Sequence, residues 1–301
     1  MGLEFPSPLG VAAGFDKNGV LVPMLDALGF GFVEVGTVTA RPWGGNPRPR
    51  VFRLPTDAAI INRMGLPGGG AATVARRLRA LRGRIRGPVG VNVGRVVDGR
   101  ADDAVTDYVE VLRQVAPFAD YVCLNISCPN TEDGRAFDGD PGALDGLLAA
   151  VAHTLDDGPP WVVKVSPDLP WDDLAPMLDC ALARGASGFV VCNTTRSREG
   201  LVSDPARIQA IGAGGLSGRP LRSRANELVR RVRRHVGEGP VIIGVGGIFD
   251  ADDARERLEA GATLLQMYTG IVYGGPLVAR SINHALAAQR DRAQMSSTSR
   301  S

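Results

Sequence analysis

Lysine is almost missing from this sequence. Of its 34 basic residues, 32 are arginine, and lysine occurs only as Lys17 and Lys164. A chain with this bias is expected to keep lysine where a compact ammonium group is needed and the planar guanidinium group does not fit. The two lysines are therefore the first candidates for a functional site.

Histidine and cysteine are also scarce, and their spacing does not match the common metal-binding patterns. The three histidines lie in stretches predicted to be helical, away from the ends of strands. No Cys-x-x-Cys pair occurs among the four cysteines, which are Cys123, Cys128, Cys180 and Cys192. We predict no metal site, and the pattern favours free thiols in a reducing cytoplasm.

A charge excess and long apolar runs are lacking too. The net charge of +2 is small for a nucleic-acid-binding protein, which usually carries a marked basic bias. No apolar run approaches the length of a membrane-spanning helix. We find no linker rich in Pro, Gly and Ser, so we predict one domain over residues 1–288 and a disordered polar tail over residues 289–301.

Short apolar runs alternate with amphipathic stretches from end to end of the chain, and such runs are typical of buried parallel strands. The eight runs are Leu9–Ala13, Gly31–Gly36, Val89–Gly94, Tyr121–Ile126, Trp161–Ser166, Gly188–Asn193, Val241–Gly246 and Thr263–Tyr268. Helical stretches follow near residues 20–28, 72–82, 101–116, 141–156, 171–184, 220–236, 250–260 and 276–289. This alternation predicts an α/β fold, the (β/α)8 TIM barrel, with an open doubly wound sheet as the alternative.

Two connections are much longer than simple loops between a strand and a helix. Thr37–Gly70 is rich in Pro, Arg and Gly, and Thr194–Gly218 carries a glycine cluster. Both follow predicted strand ends on the face where barrel enzymes carry their active sites. Long loops in compact domains are usually lids or binding loops, so we expect a functional role for both.

Polar side chains end four successive predicted strands. The third strand ends with Asn92, the fourth with Asn125, the fifth with Lys164 and the sixth with Asn193. Amide groups donate and accept hydrogen bonds in one plane. A ring of amides with one ammonium group therefore predicts a site for a flat heterocycle rich in carbonyl and N–H groups.

Glycines end the next two strands instead. Gly244-Val-Gly246-Gly247 follows the seventh strand, Tyr268-Thr269-Gly270 follows the eighth, and Gly214–Gly218 adds a third glycine-bearing loop. Barrels often hold phosphate on bare backbone N–H groups after strands seven and eight. No Gly-x-Gly-x-x-Gly follows the first strand, which disfavours a Rossmann dinucleotide fold.

A flavin fits both the phosphate loops and an inward-pointing Lys164. A fixed ammonium group stabilises the negative charge of a reduced flavin, so we predict FMN as the cofactor. Pyridoxal phosphate is the competitor, because a barrel lysine can form a Schiff base. Cys128, on the loop after the fourth strand, is placed to take a proton from a carbon beside a carbonyl group.

Nine segments carry a resemblance to a known family. They are Pro8–Gly19, Gly36–Thr39, Asn62–Gly65, Asn125–Asn130, Lys164–Asp168, Asn193–Thr195, Gly214–Leu221, Gly244–Ile248 and Gln266–Gly270. In this order they make the chain resemble the dihydroorotate dehydrogenases from about residue 2 to residue 286, in the style of the quinone-linked, class 2 branch.

The resemblance implies an FMN-binding barrel that oxidises dihydroorotate to orotate in pyrimidine synthesis. Cys128 matches the base that removes the C5 proton of the substrate, while a hydride passes from C6 to flavin N5. Lys17 matches the residue that holds the substrate carboxylate. The other matched substrate-binding positions are Asn62, Met64, Gly65, Leu66, Asn125, Asn130, Asn193 and Thr194. The matched cofactor-binding positions are Ala13, Gly14, Thr37, Asn92, Asn125, Lys164, Gly218, Gly246, Gly247, Tyr268 and Thr269.

Three departures separate the sequence from the class 2 pattern. Class 2 members use serine as the base, whereas cysteine is typical of the class 1 enzymes. Class 2 members carry a helical extension before the barrel, which binds the membrane and forms the quinone tunnel, whereas this sequence starts almost on the barrel, so the extension and the electron acceptor are both left open. Leu66-Pro-Gly-Gly and Thr131-Glu-Asp-Gly replace the residues that follow two of the motifs.

These departures leave alternatives open. The altered loops favour a second hypothesis, an FMN barrel acting on another dihydropyrimidine-like substrate. A third is a flavin-binding subunit that only relays electrons, although Lys17 and Cys128 indicate a substrate pocket. The resemblance implies a quinone acceptor, and it leaves open a homodimer and peripheral contact of a cytoplasmic protein with the inner face of the cell membrane.

Overall fold

The computed structural model describes residues 1–95, 104–126 and 141–298, and a closed barrel of parallel strands forms its centre. In chain order the strands are β1 (Leu9–Val11), β2 (Val33–Val38), β3 (Val51–Leu54), β4 (Ala59–Asn62), β5 (Val89–Val93), β6 (Tyr121–Asn125), β7 (Trp161–Val165), β8 (Gly188–Val191), β9 (Gly215–Gly218), β10 (Val241–Val245) and β11 (Leu264–Met267). All except β3, β4 and β9 belong to the barrel, in the order β1-β2-β5-β6-β7-β8-β10-β11. The predicted (β/α)8 barrel is confirmed.

Helices follow the barrel strands and cover their outer surface. They are α1 (Val22–Ala27), α2 (Ala71–Leu81), α3 (Ala104–Val115), α4 (Pro141–Thr154), α5 (Trp171–Ala183), α6 (Pro205–Ile211), α7 (Arg222–Val236), α8 (Ala251–Glu259), α9 (Thr269–Gly274) and α10 (Val278–Thr298). The short helices α6 and α9 have no counterpart among the predicted helical stretches. The helix α10 continues to Thr298, although the sequence predicts disorder from residue 289.

Aromatic rings close the amino-terminal end of the barrel. Phe32 and Tyr121 are fully buried inside it, with ring centroids 6.4 Å apart, and Phe5 packs edge-on against Phe32 at 5.2 Å. Gly10 and Gly90 make room for these rings, because a Cβ atom would lie 2.6 Å from Phe32 and 2.1 Å from Tyr121, respectively. The packed floor leaves the carboxyl end of the strands as the place for a binding site.

The two long connections fold together over this carboxyl end. The strands β3 and β4 lie in the first connection and β9 ends the second, and they form an antiparallel sheet in the order β3-β4-β9, here called the roof sheet. Asp57 ties the connections together by accepting a hydrogen bond from the backbone N–H of Val202 at 2.6 Å. Both loops that the sequence predicts to be functional thus cover the barrel mouth. Within the described ranges, no helix is long and apolar enough to cross a membrane.

Candidate active site

A cavity lies between the barrel mouth and the roof sheet. Its empty volume is about 1090 Å³ including the open mouth, which is large enough for a cofactor and a small substrate. Most of the predicted site residues line it, namely Ala13, Gly14, Lys17, Thr37, Asn62, Met64, Gly65, Leu66, Asn125, Lys164, Asn193, Thr194, Gly218, Gly246, Gly247, Tyr268 and Thr269. Residues far apart in the sequence therefore meet in one place.

Lys17 brings a positive charge to the cavity wall. Its ammonium group donates a hydrogen bond to the carbonyl oxygen of Gly14 at 2.5 Å. Burial, and then the charge of Arg50, lower the pKa of Lys17, and the neighbouring carboxylate of Asp16 offsets part of this effect. A carboxylate on a ligand would counteract both effects, because it pairs with the ammonium group inside the cavity and favours its charged form.

Four hydrogen-bonded side chains, Asn92, Thr37, Asn125 and Asn193, run across the barrel mouth, and we call them the polar row. Asn193 Nδ2 donates to Asn125 Oδ1 at 3.3 Å, and Asn125 Nδ2 donates to Thr37 Oγ1 at 3.1 Å. Thr37 Oγ1 in turn donates to Asn92 Oδ1 at 2.6 Å. Asn92 is fully buried and is not among the lining residues, so its predicted contact with a cofactor stays a prediction.

Glycines and hydroxyl groups form another part of the wall. Gly246 and Gly247, after β10, both adopt positive φ angles, +105° and +71°. The hydroxyl groups of Ser217 and Thr269 lie 2.8 Å apart on the same cavity wall. The backbone N–H groups of glycines, which no side chain shields, suit a phosphate group together with hydroxyl donors.

A buried arginine supports this glycine loop from below. Arg257, on α8, is fully buried and donates to the carbonyl oxygens of Val245 at 2.8 Å and Gly246 at 2.7 Å. Its Nε donates to Asn226 Oδ1 at 2.5 Å. Burial lowers the pKa of Arg257 to about 10, so the group remains a cation at neutral pH. It therefore fixes the loop and adds positive charge beside the proposed phosphate position.

Three further buried groups of the cavity wall have distinct chemistry. Lys164 is a second ammonium group, only 6% exposed. Gln266 Oε1 is buried with no hydrogen-bond partner among the described residues, which marks a place for an N–H donor of a ligand. Burial raises the pKa of Cys192 to about 12, so this thiol stays protonated at neutral pH and cannot serve as a base.

Two predicted residues cannot be placed. The predicted base Cys128 and the predicted substrate contact Asn130 lie outside the described residues. Both follow β6 in the sequence, and the last residue of that strand, Asn125, lines the cavity.

Sequence reasoning missed four residues that shape the site, which are Glu34, Arg50, Gln266 and Arg257. A signal exists for one of them, since Glu34 is the only charged residue in the apolar run Gly31–Gly36. No comparable signal marks Arg50 or Arg257, because arginine is common throughout the chain.

Comparison with protein families agrees with this geometry. The family model described as dihydroorotate dehydrogenase matches residues 1–289. The chain belongs to the dihydroorotate dehydrogenase family. The resemblance predicted from nine motifs is thereby confirmed.

Individual members of the dihydroorotate dehydrogenase family match over most of their length. A protein of Thermobifida fusca named dihydroorotate dehydrogenase (quinone) is 50% identical over 293 residues, which cover 95% of this chain and 78% of the relative. One of the same name from Clavibacter sepedonicus is 51% identical over 291 residues, covering 96% and 84%. The crystal structure of DHODH from Eimeria tenella in complex with ferulenol has a TM-score of 0.90 at 34% identity, covering 98% of this chain and 84% of that one.

Proposed function

We propose that this protein oxidises dihydroorotate to orotate in pyrimidine biosynthesis, with FMN as its cofactor and a quinone as electron acceptor. One observation carries the proposal: the motifs of the dihydroorotate dehydrogenase family meet in one cavity that offers an ammonium group, amides and glycine loops. The names of the two bacterial relatives support dihydroorotate as donor and quinone as acceptor.

FMN fits the chemistry of the cavity wall. The N–H groups of Gly246 and Gly247 and the hydroxyl group of Thr269 suit its phosphate, and the unpartnered oxygen of Gln266 suits an N–H group of its ring. Lys164 provides a cation for the ring. When bound, FMN supplies the acceptor for a hydride.

The protein contributes binding, orientation and proton transfer. Lys17 would pair with the carboxylate of the substrate, and the amides of Asn62, Asn125 and Asn193 would hold the ring carbonyl and N–H groups in one plane. Cys128, by its matched position in the family motif, would take the proton from C5 of the substrate. Held in place by several contacts, the substrate reacts without the entropy cost of a free encounter.

Anaerobic mixing of the purified flavoprotein with dihydroorotate tests the proposal. We expect loss of the visible flavin absorbance, appearance of orotate, and recovery of the absorbance when a short-chain quinone is added. If another dihydropyrimidine bleaches the flavin and dihydroorotate does not, the alternative substrate hypothesis replaces this one. Recovery only with a dicarboxylate or nicotinamide acceptor would contradict the quinone assignment alone.

The substitution Gly247→Ala should lower FMN affinity by roughly tenfold to a hundredfold. The backbone of Gly247 has a φ angle of +71°, which is strained for a residue with a side chain. In addition, a Cβ atom at this position would lie 2.6 Å from Cα of Arg222 at the start of α7. The measurement is fluorescence quenching when FMN is added to the apoprotein. Gly239→Ala is the matched control, because no atom lies within 4 Å of the added Cβ. Equal FMN affinity of both variants would contradict the phosphate assignment.

Binding of orotate should weaken as the pH rises, and it should do so at a lower pH than it would if Lys17 had the pKa of an ordinary lysine. The ammonium group of Lys17 is present below its pKa and is lost as the pH rises through it, and this pKa is lowered from the ordinary value near 10.4. The dissociation constant of orotate, followed by the flavin difference spectrum from about pH 7 to about pH 10, should therefore rise. Uracil, which lacks the carboxylate, is the control. An identical alkaline rise for both ligands would point to a group other than Lys17.

A further inference from the structure

Glu34 is a buried carboxylate for which the proposed reaction has no use. It lies on β2, is 0% exposed, and is not among the residues that line the cavity. Its oxygens accept hydrogen bonds from Asn92 Nδ2 at 2.9 Å, Tyr121 Oη at 3.0 Å and Gln266 Nε2 at 2.7 Å. Burying a carboxylate is unfavourable even with such partners, so its position calls for a physical reason.

The hydrogen bonds of the polar row all point toward Glu34. A carboxylate accepts and cannot donate, so Asn92 must turn its Nδ2 toward Glu34 and its Oδ1 toward Thr37. Thr37 then donates its single hydroxyl hydrogen to Asn92, which leaves only oxygen lone pairs for Asn125. Asn125 consequently turns its Nδ2 toward Thr37 and its Oδ1 toward Asn193. The direction of each bond as far as Asn125 follows from the previous one, and the orientation of Asn193 agrees with it because its Oδ1 accepts from the backbone N–H of Thr194 at 2.9 Å.

This order determines what the row offers to a ligand. An amide group has a fixed number of donors and acceptors, so the atoms used within the row decide which ones are left for the cavity. Thr37, Asn125 and Asn193 all line the cavity. A planar ring with alternating carbonyl and N–H groups pairs with one pattern of free atoms and is repelled by the reversed pattern.

We propose that Glu34 is a positioning residue, which sets the donor and acceptor pattern of the polar row and thereby the affinity of the site for the orotate ring. It acts through Asn92 and Thr37 and does not touch the ligand. A glutamine at position 34 can present its own amide nitrogen to Asn92, and the row can then reverse as far as Asn125. Asn193 keeps its orientation, because its Oδ1 accepts from the backbone N–H of Thr194 at 2.9 Å, so a reversed Asn125 would oppose one amide N–H group to another. The choice of orotate as the ring rests on the proposed function.

Orotate affinity of the FMN-loaded variant Glu34→Gln tests this role, because the substitution keeps the size of the side chain and removes the obligatory acceptor. We expect the dissociation constant of orotate, read from the flavin difference spectrum, to rise roughly tenfold or more. Tyr121→Phe is the matched control. It removes one hydrogen bond to Glu34 but leaves the Asn92 bond intact, so its orotate affinity should stay within about threefold of the wild type.

A rescue variant shows whether Glu34→Gln acts by changing the hydrogen-bond direction of the polar row or by disturbing the structure in general. Adding Asn92→Asp to Glu34→Gln moves the carboxylate one step along the row, where it accepts from both position 34 and Thr37. The direction of every bond from Thr37 outward is then restored, and we expect most of the orotate affinity to return. A double variant that binds orotate no better than Glu34→Gln would overturn the proposal, as would a Glu34→Gln protein with wild-type affinity.

Thr37 gives a second test should Glu34→Gln fail to fold. Thr37→Val breaks the row between Asn92 and Asn125, whereas Thr37→Ser keeps the hydroxyl group. Orotate binding should weaken much more in the first variant than in the second, and equal affinities would overturn the proposal. Wild-type protein that neither binds orotate nor is bleached by dihydroorotate would overturn the proposed function together with this inference. Wild-type orotate binding with an unaffected Glu34→Gln variant overturns the role of Glu34 alone.

Discussion

Replacing Lys17 with methionine should lower kcat/KM for dihydroorotate by roughly 30-fold to 5,000-fold. Removing one member of a buried, hydrogen-bonded charge pair costs about 2–5 kcal/mol, because the other charge is left unpaired. Methionine matches the four-atom apolar stem of lysine and lacks only the ammonium group, so the effect isolates the charged group. Steady-state turnover with dihydroorotate and a quinone at neutral pH gives the comparison.

Two measurements show whether loss of FMN or general damage to the site, instead of the missing charge, explains a loss of activity. The visible spectrum of the Lys17→Met protein should show the wild-type FMN content, because the glycine loops that suit the phosphate are unchanged. Binding of uracil, which has no carboxylate, should change little. Loss of FMN in proportion to activity, or an equal loss of affinity for uracil and orotate, would contradict the pairing of Lys17 with the substrate carboxylate.

Cys128→Ala should lower kcat by about 10²-fold to 10⁴-fold, the range that general base catalysis contributes. Cys180→Ala is the matched control: this thiol lies outside the cavity and donates to Asp145 at 3.5 Å. The two buried thiols, Cys123 and Cys192, have raised pKa values because of burial, which disfavours them as bases. FMN content and orotate affinity of Cys128→Ala should match the wild type.

The pH profile of a serine variant adds a directional test. A cysteine thiol titrates near pH 8.5, whereas a serine hydroxyl remains protonated throughout the accessible range. The activity of Cys128→Ser should therefore be lower at neutral pH and should rise further toward alkaline pH than that of the wild type. A serine variant with undiminished activity, or a wild-type profile without a thiol limb, would contradict the role of Cys128 as base.

The barrel could be predicted because its strands are buried on both faces. The run Val241–Gly246 has no polar side chain and the run Trp161–Val165 has only Lys164, and glycine or proline punctuates the chain around them. The position of the site could be predicted from the polar residues at the ends of these strands, for a related reason. Parallel strands in a barrel point the same way, so residues at their carboxyl ends must meet at one mouth.

The roof sheet could not be predicted, although its two loops were expected to be functional. The strand β4 pairs on one side with β3 through a local hairpin, but on the other side with β9, a far distant segment. Ser217 and Ile60, joined by a hydrogen bond in this pairing, are separated by 157 positions. No local pattern of residues encodes such a partner.

Glu34 and Arg257 escaped prediction for a different reason. Each is a charged residue whose role depends on the orientation of neighbouring polar groups rather than on contact with a ligand. Glu34 orders the amides of the polar row, and Arg257 holds the carbonyl groups of the glycine loop. Such supporting contacts are visible only in the folded structure, because they join residues from different strands and helices.

The long-range pairing in the roof sheet has a consequence for how the protein becomes functional during synthesis. Contacts between residues more than 150 positions apart form slowly, because the entropic cost of closing the loop precedes the gain from the contact. The ribosome must synthesise the chain beyond Gly218 before β4 can pair with β9. Since β10, β11 and the glycine loop after β10 also lie beyond Gly218, we expect high-affinity binding of FMN only late in translation or after its completion.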